Sequence, residues 1–282
     1  MQKLTLGYSP CPNDTFIFDA MVHHKIDTEG LDFEVTLADV EELNQKAFKQ
    51  ELDITKLSYH AFGSLTNEYI LMNSGSALGS GVGPLLIAKK EYSAAEVDQL
   101  KISIPGKFTT ANFLLSIAFP NATNKVEMLF SDIEQAVIDG KVDAGLIIHE
   151  NRFTYHQRGL HKIMDMGAFW EAKTNALIPL GGIVLRRTFD EALQQKLDRV
   201  LRRSIEFAFA NLESCMDYVR ANAQEMEEEV MKKHIELYVN EYSVDLGEKG
   251  RYAVESLFNL AVHKEIIAEV HPQIFIKSKP LT

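Results

Sequence analysis

The chain of 282 residues is long enough for one large domain or two modest ones. Hydrophobic residues make up 46% of it and charged residues 24%, which is the balance of an ordinary folded, water-soluble protein. The net charge of −11 argues against the basic surface that nucleic-acid phosphates require, so we expect no nucleic-acid partner.

The N-terminal segment, residues 1–14, predicts a short strand over residues 3–8 that stops at a proline-rich turn. The segment has one lysine and no long apolar stretch before a small-residue cleavage site, so it predicts no secretory signal peptide. No run in the sequence approaches the roughly 20 apolar residues of a membrane span. We therefore expect a cytoplasmic protein without a membrane span.

Strand-like and helix-like segments then alternate as far as residue 150, which predicts parallel α/β packing. The predicted strands are 31–39, 53–59, 83–89, 101–106, 125–130 and 142–150, and the predicted helices are 14–26, 40–50, 108–119 and 131–141. Residues 188–267 predict mostly helix, including one long helix from Glu191 to Ala223. Two α/β units and a helical tail indicate a two-lobed protein with a ligand cleft.

The turn SPCPNDTF, residues 9–16, follows the first strand and could form a wall of that cleft. Its prolines fix the backbone, and we expect Asn13 or Asp14 to cap the next helix. Such a turn could hold Ser9 and Asn13 against a ligand. The alternative is that proline only ends a strand and Asn-Asp only caps a helix. For Cys11 we expect the structural role of a small buried side chain.

Two further turns contain groups suited to an anion. Lys56 and Ser58 lie where the third predicted strand gives way to a helix, and a lysine there would suit an anionic ligand. A solvated lysine and a capping serine are an equally good interpretation. Thr109 and Thr110 open a helix after a Pro-Gly turn, where hydroxyls and free amides could receive an anion, although a simple threonine cap is the alternative.

The glycine-rich segment 74–86 matches no nucleotide-binding motif. Pro84 stands where the last glycine of the dinucleotide pattern would be, and no Gly-Lys-Ser/Thr sequence follows. We interpret this segment as an edge or hinge that leads to the second lobe.

His149 stands at the end of a buried apolar strand and could act as a general base, because the pKa of an ordinary histidine lies near neutrality. A structural histidine is the commoner case. We expect no metal site, because Phe153 takes the place of the second histidine in the H-E-x-x-H pattern.

Seven motifs follow one another along the chain: SPCPNDTFIFDA (9–20), DVEELN (39–44), TKLSY (55–59), GSGVGPLL (79–86), PGKFTTA (105–111), AGLIIHENRFTY (144–155) and PLGGI (179–183). Together they resemble the 1,4-dihydroxy-6-naphthoate synthase family of the futalosine route to menaquinone. The resemblance covers nearly the whole chain, and the first and sixth motifs are the most specific.

The resemblance implies an α/β fold of the type-2 periplasmic-binding-protein class, with two lobes, a ligand cleft between them and a helical C-terminal region. We place lobe 1 at residues 1–87 and 178–282, and lobe 2 at residues 88–177. The activity it implies is that of a carbon–carbon lyase that converts cyclic dehypoxanthinyl futalosine, a small-molecule carboxylate, to 1,4-dihydroxy-6-naphthoate. No metal and no redox cofactor is implied, and nothing in the sequence indicates an oligomeric state.

The resemblance also implies roles for individual residues. His149 matches the proton acceptor of the family. The residues that match its substrate contacts are Lys56, Leu57, Ser58, Thr109 and Thr110. We expect Ser9 and Asn13 to line the pocket from the other lobe.

Two other functions fit a cleft of this kind. A non-catalytic solute-binding protein would have the same fold, but the sequence predicts no export signal. Chorismate dehydratase of the same pathway has a related fold, but the strings SPCPND and LIIHENRFTY favour the naphthoate synthases.

Overall fold

The computed structural model describes residues 2–149, 151–223 and 227–277, without the side chain of Gln2. The strands are β1 Gln2–Tyr8, β2 Leu31–Leu37, β3 Ile54–Ser58, β4 Tyr69–Leu71, β5 Ala77–Gly79, β6 Leu85–Ala88, β7 Ile102–Ile104, β8 Lys125–Glu127, β9 Ala144–Ile147, β10 His161–Asp165 and β11 Ile178–Arg186. The α-helices are α1 Pro12–Val22, α2 Val40–Phe48, α3 Tyr59–Gly63, α4 Thr110–Ala118, α5 Phe130–Ile138, α6 Asn151–Thr154, α7 Met166–Thr174, α8 Glu191–Ala210, α9 Leu212–Asn222, α10 Glu228–Tyr238, α11 Glu241–Val244 and α12 Gly247–His263.

The first sheet combines strands from early and late in the chain. Its order is β2-β1-β3-β11-β4, and β5 also pairs with β11. Strand β1 is parallel to β2 and β3, whereas β11 is antiparallel to β3, β4 and β5. Within this sheet the predicted parallel arrangement therefore applies only to β1, β2 and β3, because β11 returns from the other sheet.

The second sheet has the order β10-β6-β9-β7-β8. Strand β7 is parallel to β8 and β9, and β6 is antiparallel to β9 and β10. Since β6 begins at Leu85, we infer a lobe boundary before that residue rather than after residue 87. From here on, lobe 1 denotes described residues 2–79 and 178–277, and lobe 2 denotes described residues 85–177.

Two chain segments join the lobes side by side. Residues 80–84 lead from β5 to β6, and β11 begins at Ile178, which pairs with Gly79 at the end of β5. Gly83 lies against Gly167, and a Cβ atom on Gly83 would be 2.2 Å from the Gly167 nitrogen. Only glycine allows this close approach. The glycine-rich segment thus lies at the crossing between the lobes.

Two local predictions from the sequence are wrong. Helix α1 begins at Pro12 with Cys11 as its N-cap, so Asn13 and Asp14 lie in the first turn and do not cap the helix. Proline at the first helical position is favoured because its missing N–H is not needed there. The single long helix predicted from residue 191 to 223 ends at Asn211, which has non-helical dihedrals of −136° and 51°.

Helices α8, α9 and α10 pack against α1 and cover one face of lobe 1. Their apolar side chains join those of α1 and the first sheet in one core; Phe16, Met21, Leu201, Ile205 and Met216 are all fully or almost fully buried there. This packing brings α10 beside the start of α1, which is where the pocket lies. None of the described helices has the length and apolar character needed to cross a membrane.

Candidate functional site

A pocket lies between the two lobes, beyond the carboxyl ends of β1, β3 and β9. It encloses about 660 Å³, including the open space at its mouth. It is lined by Ser9, Asn13, Asp14, Val40, Lys56, Ser58, Ala77, Val82, Pro84, Thr109, Thr110, Ala111, Ile148, His149, Leu180, Gly181 and Tyr238. Because both lobes supply lining residues, a ligand in this pocket would contact both.

The pocket contains most of the residues that the sequence singled out. Those that line it are Ser9, Asn13, Lys56, Ser58, Thr109, Thr110 and His149. Leu57 does not line it, because side chains alternate along a strand and that of Leu57 points into the core, where it is fully buried. Glu150, which follows His149 in its motif, lies outside the described residues.

His149 is held in an unusual backbone conformation. Its φ angle is +58°, in the left-handed region that residues other than glycine rarely adopt. Its ring lies edge-to-face against Phe130 with centroids 4.7 Å apart, and nearly parallel to the His234 ring at 5.9 Å. Its buried Nε2 atom forms no hydrogen bond to any described residue.

The environment of His149 keeps its ring neutral. Burial lowers the pKa of His149 to about 4, while the Asp14 carboxylate raises this pKa and the Lys56 ammonium lowers it. At neutral pH the imidazole is therefore unprotonated and can accept a proton. An unprotonated imidazole that lines a pocket between two lobes is a candidate general base.

Asp14 organises the polar wall of lobe 1. Its Oδ1 atom accepts hydrogen bonds from Lys56 Nζ at 2.7 Å and Asn13 Nδ2 at 2.8 Å, and its Oδ2 atom accepts from Ser9 Oγ at 2.8 Å. The side chains of Lys56 and Asp14 are only 7% and 2% exposed, so this is a buried ion pair. The charge of Lys56 is therefore largely balanced before any ligand binds.

His234 is a pocket neighbour that sequence reasoning missed. It is fully buried on α10, and its Nε2 atom lies 2.9 Å from Asn13 Oδ1. Asp14 orients the Asn13 amide by accepting a bond from Nδ2, so Oδ1 must face His234 and Nε2 must donate. Burial lowers the pKa of His234 well below its usual value, and His149 and Lys56 lower it further.

The start of helix α4 presents backbone donors to the pocket. The Thr109 hydroxyl caps the helix, accepting from Asn112 N at 3.2 Å and donating to Gly106 O at 2.8 Å. The Thr110 hydroxyl donates to Leu180 O at 2.7 Å. Both hydroxyl protons are thus engaged within the protein. The backbone N–H groups of Thr110 and Ala111, by contrast, form no hydrogen bond to the described part of the chain.

Contacts between the lobes lie next to the lining residues Val40 and Thr109. The Glu41 carboxylate on α2 accepts a hydrogen bond from the Phe108 N–H at 3.2 Å, and the Phe48 and Phe108 rings pack with centroids 4.6 Å apart. His60 on α3 lies 3.3 Å from Thr109 O through Nδ1. These contacts hold the loop before α4 against lobe 1.

The sequence is similar to a known protein family and to curated members of it. The family model described as menaquinone biosynthesis matches residues 4–263. A 1,4-dihydroxy-6-naphthoate synthase of Thermus thermophilus is 44% identical over 98% of this chain and 100% of that protein. A 1,4-dihydroxy-6-naphthoate synthase of Streptomyces coelicolor is 39% identical over 95% of this chain and 96% of that protein.

Solved structures share the fold. A protein of Archaeoglobus fulgidus superposes with a TM-score of 0.89 at 36% identity, over 94% of this chain and 98% of that one. The periplasmic aliphatic sulphonate binding protein of Escherichia coli superposes with a TM-score of 0.65 at 10% identity, over 100% of this chain and 96% of that one. The predicted two-lobed, periplasmic-binding-protein-like fold is confirmed.

Proposed function

The chain belongs to the menaquinone biosynthesis family, and from this premise we infer that it makes 1,4-dihydroxy-6-naphthoate, with His149 as the general base. The curated relatives support the activity, since both are synthases of this compound and match the chain over nearly its whole length. The observation that supports the role of His149 is its neutral, buried ring, which lines the pocket between the lobes. We propose a cytoplasmic location, and recovery of the protein in a periplasmic fraction would contradict it.

The proposed substrate is cyclic dehypoxanthinyl futalosine, and the proposed class is carbon–carbon lyase. Making the naphthoate ring aromatic requires the loss of a proton that a neighbouring carbonyl group has made acidic. The unprotonated imidazole of His149 accepts this proton, and loss of the sugar-derived fragment completes the aromatic ring. The contacts of Glu41 and Phe48 with Phe108 keep the lobes together and restrict the access of water.

The start of α4 is the proposed anchor for the substrate carboxylate. Thr110 and Ala111 line the pocket, and free N–H groups at a helix N-terminus carry positive partial charge that suits an anion. Lys56 adds an ammonium group, although Asp14 balances much of its charge.

The substitutions Thr109→Val and Thr110→Val test this anchor together, because the first removes the N-cap of α4 and the second removes the hydroxyl that binds Leu180 O. We expect the KM for the substrate to rise about 5- to 10-fold, which corresponds to roughly 1 kcal/mol of binding free energy, because the first turn loses the hydroxyls that hold it in place. Thr123→Val, at an exposed loop position of lobe 2, is the matched control and should leave KM unchanged. An unchanged KM in the double variant would remove the helix start as the anchor.

A non-catalytic binding protein is the second candidate, since the sulphonate binding protein of Escherichia coli has the same fold. Purified protein should be incubated separately with cyclic dehypoxanthinyl futalosine and with chorismate, and the products followed by mass spectrometry. We expect 1,4-dihydroxy-6-naphthoate from the first compound and no change in the second. Return of the first compound unaltered but bound would support a binding protein, and dehydration of chorismate would support chorismate dehydratase.

A further inference from the structure

The His149 ring contacts two aromatic rings that come from different lobes. Phe130, the first residue of α5 in lobe 2, contacts it edge-to-face at 4.7 Å between centroids. His234, on α10 in lobe 1, faces it at 5.9 Å with only 10° between the ring planes. The second contact exists only because the two lobes meet, so the position of His149 depends on both lobes.

The His234 ring is itself fixed on the lobe 1 side. Its Nε2–H group donates to Asn13 Oδ1 at 2.9 Å, and Tyr238 packs on it with centroids 4.7 Å apart. Asn13 in turn donates to Asp14, which forms the buried ion pair with Lys56. A chain of direct contacts therefore connects the ion pair at the start of α1 with the ring that faces His149.

We propose that His234 is a positioning residue for His149: its ring, anchored by Asn13, forms the lobe 1 wall against which the His149 ring rests. This inference rests on the proposed role of His149 as the general base. His234 lies behind the pocket wall and touches no substrate atom in this account. It acts on the reaction through the orientation of His149.

A fixed orientation matters for proton transfer because a base must lie within hydrogen-bond reach of the proton that it removes. Displacing a catalytic group by about 1 Å can cost about 100-fold in rate. The left-handed backbone at His149 sets the direction of its side chain, and the contacts with Phe130 and His234 limit how far the ring can tilt.

The charges around the two rings favour His149 as the ring that takes up the proton and His234 as the ring that stays neutral. Asp14 is the carboxylate that raises the pKa of His149, while the ammonium of Lys56 lowers the pKa of both histidines. Protonation of one ring disfavours protonation of the other, since like charges repel at this distance. Because His234 uses Nε2–H to bind Asn13 and is wholly buried, it stays neutral when His149 takes up the proton.

The test compares kcat and KM of His234→Ala and His234→Phe with those of the wild type. The alanine variant removes the ring, so kcat should fall about 10- to 100-fold while KM stays within about threefold. The phenylalanine variant restores a planar ring but not the hydrogen bond to Asn13, so its kcat should lie between those of the alanine variant and the wild type. His263→Ala, at the exposed end of α12, is the control and should leave both constants unchanged.

Two results would overturn the inference. One is a folded His234→Ala variant, checked by its melting temperature, whose kcat stays within about twofold of the wild type. The other is a folded His234→Phe variant that is no more active than the alanine variant. If the alanine variant does not fold, His234→Gln replaces it, since glutamine keeps an N–H donor but has no ring. The phenylalanine variant should then have the higher kcat, and the opposite order would overturn the inference.

The same experiment separates this inference from the function on which it rests. A wild-type protein that forms no naphthoate, or an active His149→Asn variant, would contradict the proposed function or the general-base role. An active wild type with an inactive His149→Asn variant and a fully active, folded His234→Ala variant would contradict the positioning role alone.

Discussion

At the scale of single residues, His149 shows what the sequence reveals and what it does not. A histidine at the end of a buried apolar strand is visible in the sequence, as is the ability of imidazole to accept a proton. Its left-handed φ of 58° is not visible, because no local pattern in the sequence predicts it, nor are its contacts with the rings of Phe130 and His234, which are distant in sequence. For Asp14 the sequence predicts only a possible helix-capping role. Its ion pair with Lys56 is not visible, because the two residues are distant in sequence and only the fold brings them together.

The pKa of His149 predicts how activity depends on pH. Burial lowers this pKa to about 4, and the base works only in its neutral form. Activity should therefore persist as the pH falls through 6.5, the usual value for histidine, and should be lost only near pH 4. Within the described part of the chain, the charged groups that shift this pKa are Asp14 and Lys56, and the titratable ring of His234 stacks on His149.

The measurement is the pH profile of kcat/KM, which reports the ionisation of groups in the free enzyme. Circular dichroism at each pH confirms that the protein is still folded. An acid limb centred near the ordinary histidine value would contradict the buried, neutral environment of His149.

At the scale of secondary-structure elements, the sequence predicts where α4 begins, but it does not indicate that α10 lies beside the pocket. The paired threonines after a Pro-Gly turn mark the start of α4, and Thr109 is indeed its N-cap. Helix α10 has a charge-rich sequence typical of a solvated surface, and its buried face includes His234. Its place beside the pocket follows from packing against α1, which no local pattern in the sequence indicates.

Gly106 lies in the loop before α4, and its close approach to Glu41 predicts an effect of the Gly106→Ala substitution. A Cβ atom on Gly106 would lie 2.4 Å from Glu41 Cγ, and the φ of this glycine is +156°. The substitution should push Glu41 away from the Phe108 N–H and loosen the contact between the lobes. We expect a higher KM and a free energy of unfolding lower by about 2 kcal/mol or more, as steady-state kinetics and urea denaturation would show.

Gly140→Ala is the matched control for this prediction. Gly140 also has a positive φ, of +69°, but a Cβ atom there would meet nothing within 4 Å. The Gly140→Ala substitution should lower the free energy of unfolding by about 1 kcal/mol through backbone strain alone and leave KM unchanged. Equal KM values for the two variants would show that Gly106 has no special part in the lobe contact.

At the scale of the whole molecule, the early alternation of strands and helices predicts the two α/β units but not their complete sheets. Strands β1, β2 and β3 pair in parallel, as the alternation of predicted strands and helices indicates. The antiparallel return of β11 to the first sheet is a long-range pairing, which depends on the chain crossing back from lobe 2. The alternation also predicts two lobes with a cleft, whereas the periplasmic-binding-protein class follows from the resemblance of the ordered motifs, and the pocket lies at the sheet edges where these motifs meet.

The most direct test of His149 as the general base is the rate at which the His149→Asn variant forms 1,4-dihydroxy-6-naphthoate from cyclic dehypoxanthinyl futalosine. The product is followed by mass spectrometry, and the wild type is measured in parallel. Asparagine is polar and smaller than histidine but cannot accept the proton. If His149 is the general base, kcat should fall by at least about 100-fold, the contribution typical of such a base, while KM changes little. A folded His149→Asn variant with a rate close to that of the wild type would contradict this role.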